Sequence, residues 1–176
     1  MALEIERRFL VSGSLWQAHV AWSAALRQGY LVSAAGGLTL RVRSDGVGQA
    51  WLTLKFPAAG IARQEFEYAI PPADAEALLR QCPEALSKQR HGLDLPGGDW
   101  VLDVFEAGNA PLVIAEVELE HADQAVDIPA WCAHEISGDG RFSNAALARH
   151  PFAAWPEPER APWLQVLGVT ADGDAS

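Results

Sequence analysis

Glu4 and Glu6, Arg41 and Arg43, Glu65 and Glu67, Lys88 and Arg90, and Glu116 and Glu118 are like-charged pairs separated by one residue. Asp103 stands alone between the last two pairs. In an extended strand alternate side chains face the same way, so each pair shares a face, and Arg8 extends the face of Glu4 and Glu6. Two carboxylates so placed stand roughly 7 Å apart. At an effective dielectric of about 20 they repel by about 2.4 kcal/mol. On an enclosed face they need a compensating cation. Glu4, Glu6, Asp103, Glu116 and Glu118 supply hard oxygen ligands suited to Mg²⁺ or Mn²⁺ and not to zinc. Arg41, Arg43, Lys55, Lys88 and Arg90 supply donors suited to phosphate oxygens. The only two lysines of the chain, Lys55 and Lys88, both fall in this set. Acids and bases on one enclosed surface suit a substrate with several phosphoryl groups together with a divalent ion.

The elements that must position these residues are short alternating runs. Leu3–Val11 sets Glu4, Glu6 and Arg8 against Leu3, Ile5, Phe9 and Val11, with Arg7 the one polar intruder. Leu38–Arg43, Trp51–Phe56, Arg63–Ile70, Trp100–Phe105 and Leu112–Glu120 alternate in the same way, and Lys88 and Arg90 mark another strand. Gln28–Val32 and His134–Ser137 add weaker strands. Ala35-Gly36-Gly37, Asp45 to Gly48, Pro57 to Gly60 and Pro96 to Asp99 are turn signals between them. Helices are few and short: Ala73–Cys82 between prolines, Ser14–Val20, and Ala145–His150 capped by Ser143 or Asn144. About eight strands with hairpin-like connections give a mainly β, α+β chain, either a closed antiparallel barrel or two packed sheets. Ionisable side chains crowd one face of strand after strand, where a solvated face would accept any polar residue. This favours an eight-stranded barrel with a charged lumen and an apolar outside covered by short helices. Residues 1–150 form this tunnel domain. From Pro151, the prolines at 156, 158 and 162 are expected to break up regular structure. That leaves a tail that packs through Trp155 and Trp163 and frays over Asp172–Ser176.

The 176 residues, 49% of them hydrophobic, can bury the core of one domain. A net charge of −10 argues against a nucleic-acid backbone as partner. Cys82 and Cys132 form neither a disulfide framework nor a zinc motif and fit a reduced cytoplasmic compartment. The charged N-terminus leaves no room for a signal peptide, and no charge-free run is long enough to span a membrane.

With its motifs taken in order, the chain resembles the CYTH family, the triphosphate tunnel metalloenzymes. The family's N-terminal E-x-E-x-K strand is matched by Glu4-Ile5-Glu6-Arg7-Arg8 except in the last place. The resemblance continues through Gln28-Gly29-Tyr30-Leu31, Arg41-Val42-Arg43, Leu52 to Lys55 and Glu65-Phe66-Glu67. It then runs through Lys88-Gln89-Arg90, Leu102 to Phe105, Glu116-Val117-Glu118 and Asp139 to Asn144. It covers about residues 2–150. The resemblance implies an eight-stranded tunnel that binds a triphosphate with Mg²⁺ or Mn²⁺ and acts on a small-molecule triphosphate, as a monomer or homodimer. Inorganic triphosphate is the preferred substrate. Thiamine triphosphatase or adenylate cyclase activity and a non-catalytic polyphosphate-binding module are the alternatives. It implies metal ligation by Glu4, Glu6, Asp103, Glu116 and Glu118, and phosphate binding by Arg41, Arg43, Lys55, Lys88, Arg90 and Arg141. It also implies that Glu65 and Glu67 organise the bases through ion pairs, with a second-metal role as the alternative, and that Tyr30 lies near the reacting phosphate. Two departures stand out. Arg8 replaces the family lysine, keeping charge for a phosphoryl group while losing the ability to act as a base. His91 replaces a frequent tyrosine and is read as structural.

Overall fold

The structure is a computed structural model that describes residues 2–34, 37–58 and 62–169. The alternating runs form nine antiparallel strands: β1 (Ala2–Val11), β2 (Val20–Ser33), β3 (Thr39–Ser44), β4 (Ala50–Pro57), β5 (Ala62–Ala69), β6 (Glu84–Leu93), β7 (Asp99–Phe105), β8 (Val113–Glu118) and β9 (Cys132–Glu135). Their order is β5-β4-β3-β2-β6-β7-β8-β1-β9, and β5 also pairs with β1, closing an eight-stranded barrel. The seam is short: Ala2 to Ile5 lie opposite Glu65 to Ala62. Beyond it, β9 takes over the same edge of β1, opposite Phe9 to Val11. Among the described residues there are three α-helices: α1 (Pro72–Leu79), α2 (Asn144–Arg149) and α3 (Glu157–Val166). Among the described residues no helix is long and apolar enough to cross a membrane.

Directly opposed residues of a ladder share a face, so the register shows where the charges go. Arg8 lies opposite Glu116 and Glu6 opposite Glu118. Lys55 lies opposite Glu65 and Thr53 opposite Glu67. Arg90 lies opposite Asp103, and Arg41 opposite Thr53. One charged face therefore runs around the whole barrel and forms its lumen.

The other face is apolar and covered. A 3₁₀ turn at Leu15–His19 brings Trp16, and the segment after β8 brings Trp131, over Phe9, Trp100, Leu102 and Val117. Helix α1 seats Ala75 and Leu79 over Val42 and Ala50. Its close approach needs Gly29, where a Cβ would come within 2.6 Å of Cys82 Sγ. His91 faces outward, hydrogen-bonded to Ser23 and packed on Trp16, in keeping with a structural role. Arg7, the polar intruder, makes a two-pronged contact with Glu135 of β9.

At one end the lumen face itself turns apolar. Leu10, Leu86, Phe105 and Ile114 follow Arg8, Lys88, Asp103 and Glu116 on that face, and they pack against Phe142, Leu147, Phe152 and Trp155. The chain after β9 thus plugs that end. Its anchor is α2, whose N-cap Ser143 accepts a hydrogen bond from the Ala146 amide, a contact worth about 1 kcal/mol.

Several expectations need correction. The tail contains a ten-residue helix, α3, despite its prolines. Pro156 and Pro158 sit at its start, where no amide hydrogen is needed. Pro162 does interrupt the interior, at about 3 kcal/mol, but the packing of Trp163, Leu164 and Val166 on the core holds the helix. Helix α1 stops at Leu79, short of Cys82, and Ser14–Val20 makes only the 3₁₀ turn. Strand β2 runs 14 residues, far beyond Gln28–Val32. Strand β9 ends at Glu135 and starts before His134. Trp22 lies over Gly92 and is exposed. Asp172–Ser176 lie outside the described residues.

Candidate functional site

The lumen charges form three connected groups. In the first, Asp103 is fully buried between Lys88 Nζ at 2.6 Å and a two-pronged Arg90 at 2.7 Å. Arg90 reaches on to Glu116 at 3.0 Å, and Glu116 accepts from Arg8 Nε at 3.0 Å. Lys88 also donates to Asn144 Oδ1, and Arg8 to the Phe142 carbonyl, so the plug ties into the site. In the second group Lys55 bridges Glu4 at 2.6 Å and Glu65 at 2.8 Å. In the third Glu67 holds Arg43 at 3.3 Å and Arg41 at 3.6 Å while accepting from Thr53. Glu65 and Glu67 thus stand in ion pairs with the bases, as expected.

Protonation follows from these neighbours. Burial alone would raise Asp103, yet Arg90 and Lys88 hold it well below the usual carboxylate range. Burial brings Lys88 down to about 8 in spite of Asp103. Burial, then the Arg41 charge, lowers Arg43 to about 10. For Arg8, burial is outweighed by Glu116 and Glu6, and its pKa rises above the ordinary value. Burial raises Tyr30, whose hydroxyl accepts from Gln28, so the phenol stays neutral. Glu6, like Glu4, shifts upward, opposite to Asp103. Burial, then the Glu116 charge, pushes it up to about 7, and its nearest cation, Arg8, is 3.8 Å away.

Two kinds of group in this lumen lack partners. Buried guanidinium hydrogens at Arg8 Nη2, Arg41 Nε and Arg43 Nε have no acceptor. Such buried donors are costly, and phosphate oxygens would satisfy them. Glu6, under-compensated between Glu4 and Glu116, would be satisfied by a hard cation. Among the described residues, however, no three acidic, His or Cys side chains converge as a ready-made metal cage. The acids are instead held by the bases.

A cavity of about 480 Å³ opens at the plugged end. Glu6, Arg8, Tyr30, Arg41 and Lys55 line it from the barrel, and Ser137 to Gly140 and Ser143 to Ala146 line it from the plug. Arg43, Lys88, Arg90, Asp103 and Glu116 lie in the same lumen but not on this wall. Glu118 is exposed, beside Asp99 and Glu65, whose charges raise its pKa after burial does. Arg141 stands apart. Asp139 binds it, and it lies over the rings of Phe142, Trp155 and Trp163.

Asn144 was legible only as a helix cap, although its side chain also fixes Lys88. Thr53 and the Phe142 carbonyl carried no charge to mark them, and Arg63 and Arg149 fell outside the paired pattern.

Known proteins resemble the chain along nearly its whole length. Residues 2–145 match the CYTH domain. The inorganic triphosphatase of Acetivibrio thermocellus is 34% identical over 160 residues, covering 89% of this chain and all of the relative. The inorganic triphosphatase of Nitrosomonas europaea is 37% identical over 153 residues, covering 82% of this chain and 96% of the relative. A crystal structure of an inorganic triphosphatase superimposes with a TM-score of 0.58 at 36% identity, covering 82% of this chain and 97% of that one. A closed eight-stranded barrel, a lumen of matched acids and bases, and this likeness over residues 2–145 together make the chain a member of the CYTH family.

Proposed function

We propose that the chain hydrolyses inorganic triphosphate to pyrophosphate and orthophosphate, with Mg²⁺ or Mn²⁺ as cofactor. The observation that carries this reading is the set of buried, acceptor-less guanidinium hydrogens on Arg8, Arg41 and Arg43 in one lumen. Both relatives, matched over most of their length, are inorganic triphosphatases. Triphosphatases of this family are metal-dependent in general, and the choice of ion follows from the oxygen-only donor set.

Binding is then an exchange of partners. Phosphoryl oxygens take up Arg41, Arg43, Lys55, Lys88 and Arg90, and Glu4, Glu6 and Glu116 are freed to hold the cation. The phosphoryl oxygens also reach the donors on Arg8, Arg41 and Arg43 that lack acceptors, and the cation compensates Glu6. Asp103, saturated by Lys88 and Arg90, orients those bases. Glu118 adds negative charge near the end of the barrel away from the plug, where β8 closes. A bound divalent ion neutralises developing charge and polarises phosphoryl oxygens. Arg8 keeps its proton and stabilises charge on the reacting phosphoryl group, while the neutral Tyr30 hydroxyl orients an oxygen beside it. Water adds to the terminal phosphorus, the bridging P–O bond breaks, and one proton is released. Positioning and electrostatics supply most of the rate. Arg141 contributes through the plug, which its stacking braces. The unpaired Cys82 and Cys132 suit a reducing compartment, the cytoplasm.

Phosphate release from inorganic triphosphate, ATP, thiamine triphosphate and pyrophosphate, with Mg²⁺ and with Mn²⁺, tests the reading. Metal-dependent release that favours inorganic triphosphate is expected. Glu116→Gln is expected to fold and to lose turnover by at least a hundredfold, since Glu116 serves both Arg8 and the cation. The arginine at position 8 favours a second reading, a non-catalytic triphosphate-binding module. Tight binding with no phosphate release from any substrate would establish that alternative.

A further inference from the structure

The cavity wall holds two cations that the charge pairs do not include. Arg63 shares the lumen face with Lys55 and Glu65, one face-sharing step beyond Glu65 along β5 toward the plugged end. Arg149 lies on α2, beyond the residues that match the family, and it also lines the cavity. Its guanidinium is pre-set by the surroundings: Nη2 donates to the Ser33 carbonyl at 2.7 Å and to Ser33 Oγ at 2.8 Å, and Nε donates to Glu84 at 3.1 Å.

The charge balance of this cavity is uneven. Its acids are Glu6 and Asp139, and Asp139 is engaged by Arg141. Lys55 is already matched by Glu4 and Glu65. The remaining wall carries Arg8, Arg41 and Arg149, each paired with an acid outside it (Glu116, Glu67 and Glu84), together with Arg63, and buried donors on Arg8 and Arg41 still lack acceptors. Arg8 and Arg41 belong to the lumen proper, whereas Arg63 and Arg149 stand with Ser33, Thr39 and Phe56 near the strand ends at the opening. Successive same-face residues on a strand are separated by roughly 7 Å, so Arg63 extends the cationic track beyond the Lys55 level. An anion that fills the inner track and continues outward meets these two arginines.

We propose that Arg63 and Arg149 form an outer anion subsite that engages the far end of linear polyphosphates longer than triphosphate and so sets the chain length this protein accepts. The proposal rests on the triphosphatase reading for turnover but not for binding. Hydrolysis at the terminal anhydride is balanced by water alone: tetraphosphate and water give triphosphate, orthophosphate and a proton. The triphosphate formed is itself a substrate, so it builds up and then decays.

Calorimetry and turnover with triphosphate, tetraphosphate and long-chain polyphosphate test this on the wild type, Arg63→Ala, Arg149→Ala and Arg149→Lys. The wild type is expected to bind tetraphosphate at least as tightly as triphosphate. Arg63→Ala and Arg149→Ala are each expected to weaken tetraphosphate about tenfold, the loss of one charge-assisted contact, and to leave triphosphate within twofold. Arg149→Lys, which keeps the charge, recovers part of the loss. Equal losses for both chain lengths, or a wild type that excludes tetraphosphate, would overturn the subsite. Thermal melting of each variant identifies a fold defect, and Arg63→Ala, on an exposed strand position, then decides alone. Absence of phosphate release with the chain-length binding pattern intact would sink the triphosphatase reading while leaving the subsite standing.

Discussion

Arg8 shows how one side chain can be read correctly in sequence and still gain meaning from its surroundings. Its place in the Glu4-x-Glu6-x-Arg8 strand was legible because alternation fixes the face. Its contacts were not, because Glu116 and the Phe142 carbonyl lie more than a hundred residues away. Lys88 shows that burial in this lumen can lower a lysine, to about 8 there, although Asp103 is 2.6 Å away, whereas at position 8 Glu116 and Glu6 oppose the effect of burial. Arg8→Lys is expected to raise kcat most clearly at alkaline pH, where a lysine begins to shed its proton and can assist water. KM should hold or rise slightly as the two-pronged grip is lost. A pH–rate profile with inorganic triphosphate decides, and a lysine variant slower at every pH would show that the arginine is no handicap. Glu6 carries a second prediction. Its pKa is raised from 4.5 to about 7 in the folded chain, so between those values the folded state binds more protons than the unfolded one. Stability is therefore lost as pH rises through about 7. Glu6→Gln should raise the melting temperature at pH 8 and change it little at pH 5. Mg²⁺ or Mn²⁺ should stabilise the wild type at pH 8 more than this variant.

Strands were the legible elements, and the physical reason is visible in β1, β3 and β8. Each puts ionisable and apolar side chains on opposite faces, a period of two that no helix tolerates. The first half of β2 was missed because Val20 to Leu26 has no charge to set the phase. Helix α3 was missed because prolines argue locally against a helix, whereas its stability comes from distant packing on Phe142 and the barrel floor. That packing makes a prediction about the plug. Trp155 is buried against Phe142 and Phe152 and donates its indole N–H to the His150 carbonyl. Trp155→Ala is expected to lose about 3–5 kcal/mol in denaturant unfolding. It should also raise KM, since the same plug presents Asn144 to Lys88. Unchanged KM in a folded variant would mean that the plug and the phosphate track are independent.

Across the molecule, a chain of net charge −10 gathers six of its thirteen lysines and arginines, Arg8, Arg41, Arg43, Lys55, Lys88 and Arg90, into one interior. Cations held inside a shell of negative charge confine anion capture to the openings, where the wall turns positive. The topology that builds this interior has a price in time. β1 is made first, yet its partners are β5, β8 and β9, which end at residues 69, 118 and 135. Its charged edge must therefore wait through most of synthesis, and loop closure over such separations is slow. The meander from β2 through β4, built of near neighbours, can form early, and the four-residue register of β1 with β5 is the last stitch. In pulse-labelled hydrogen exchange during refolding, amides of β3 and β4 should gain protection before those of residues 2–5. The N-terminal strand is thus the latch of the barrel, and a newly made chain has no closed tunnel until its eighth strand has left the ribosome.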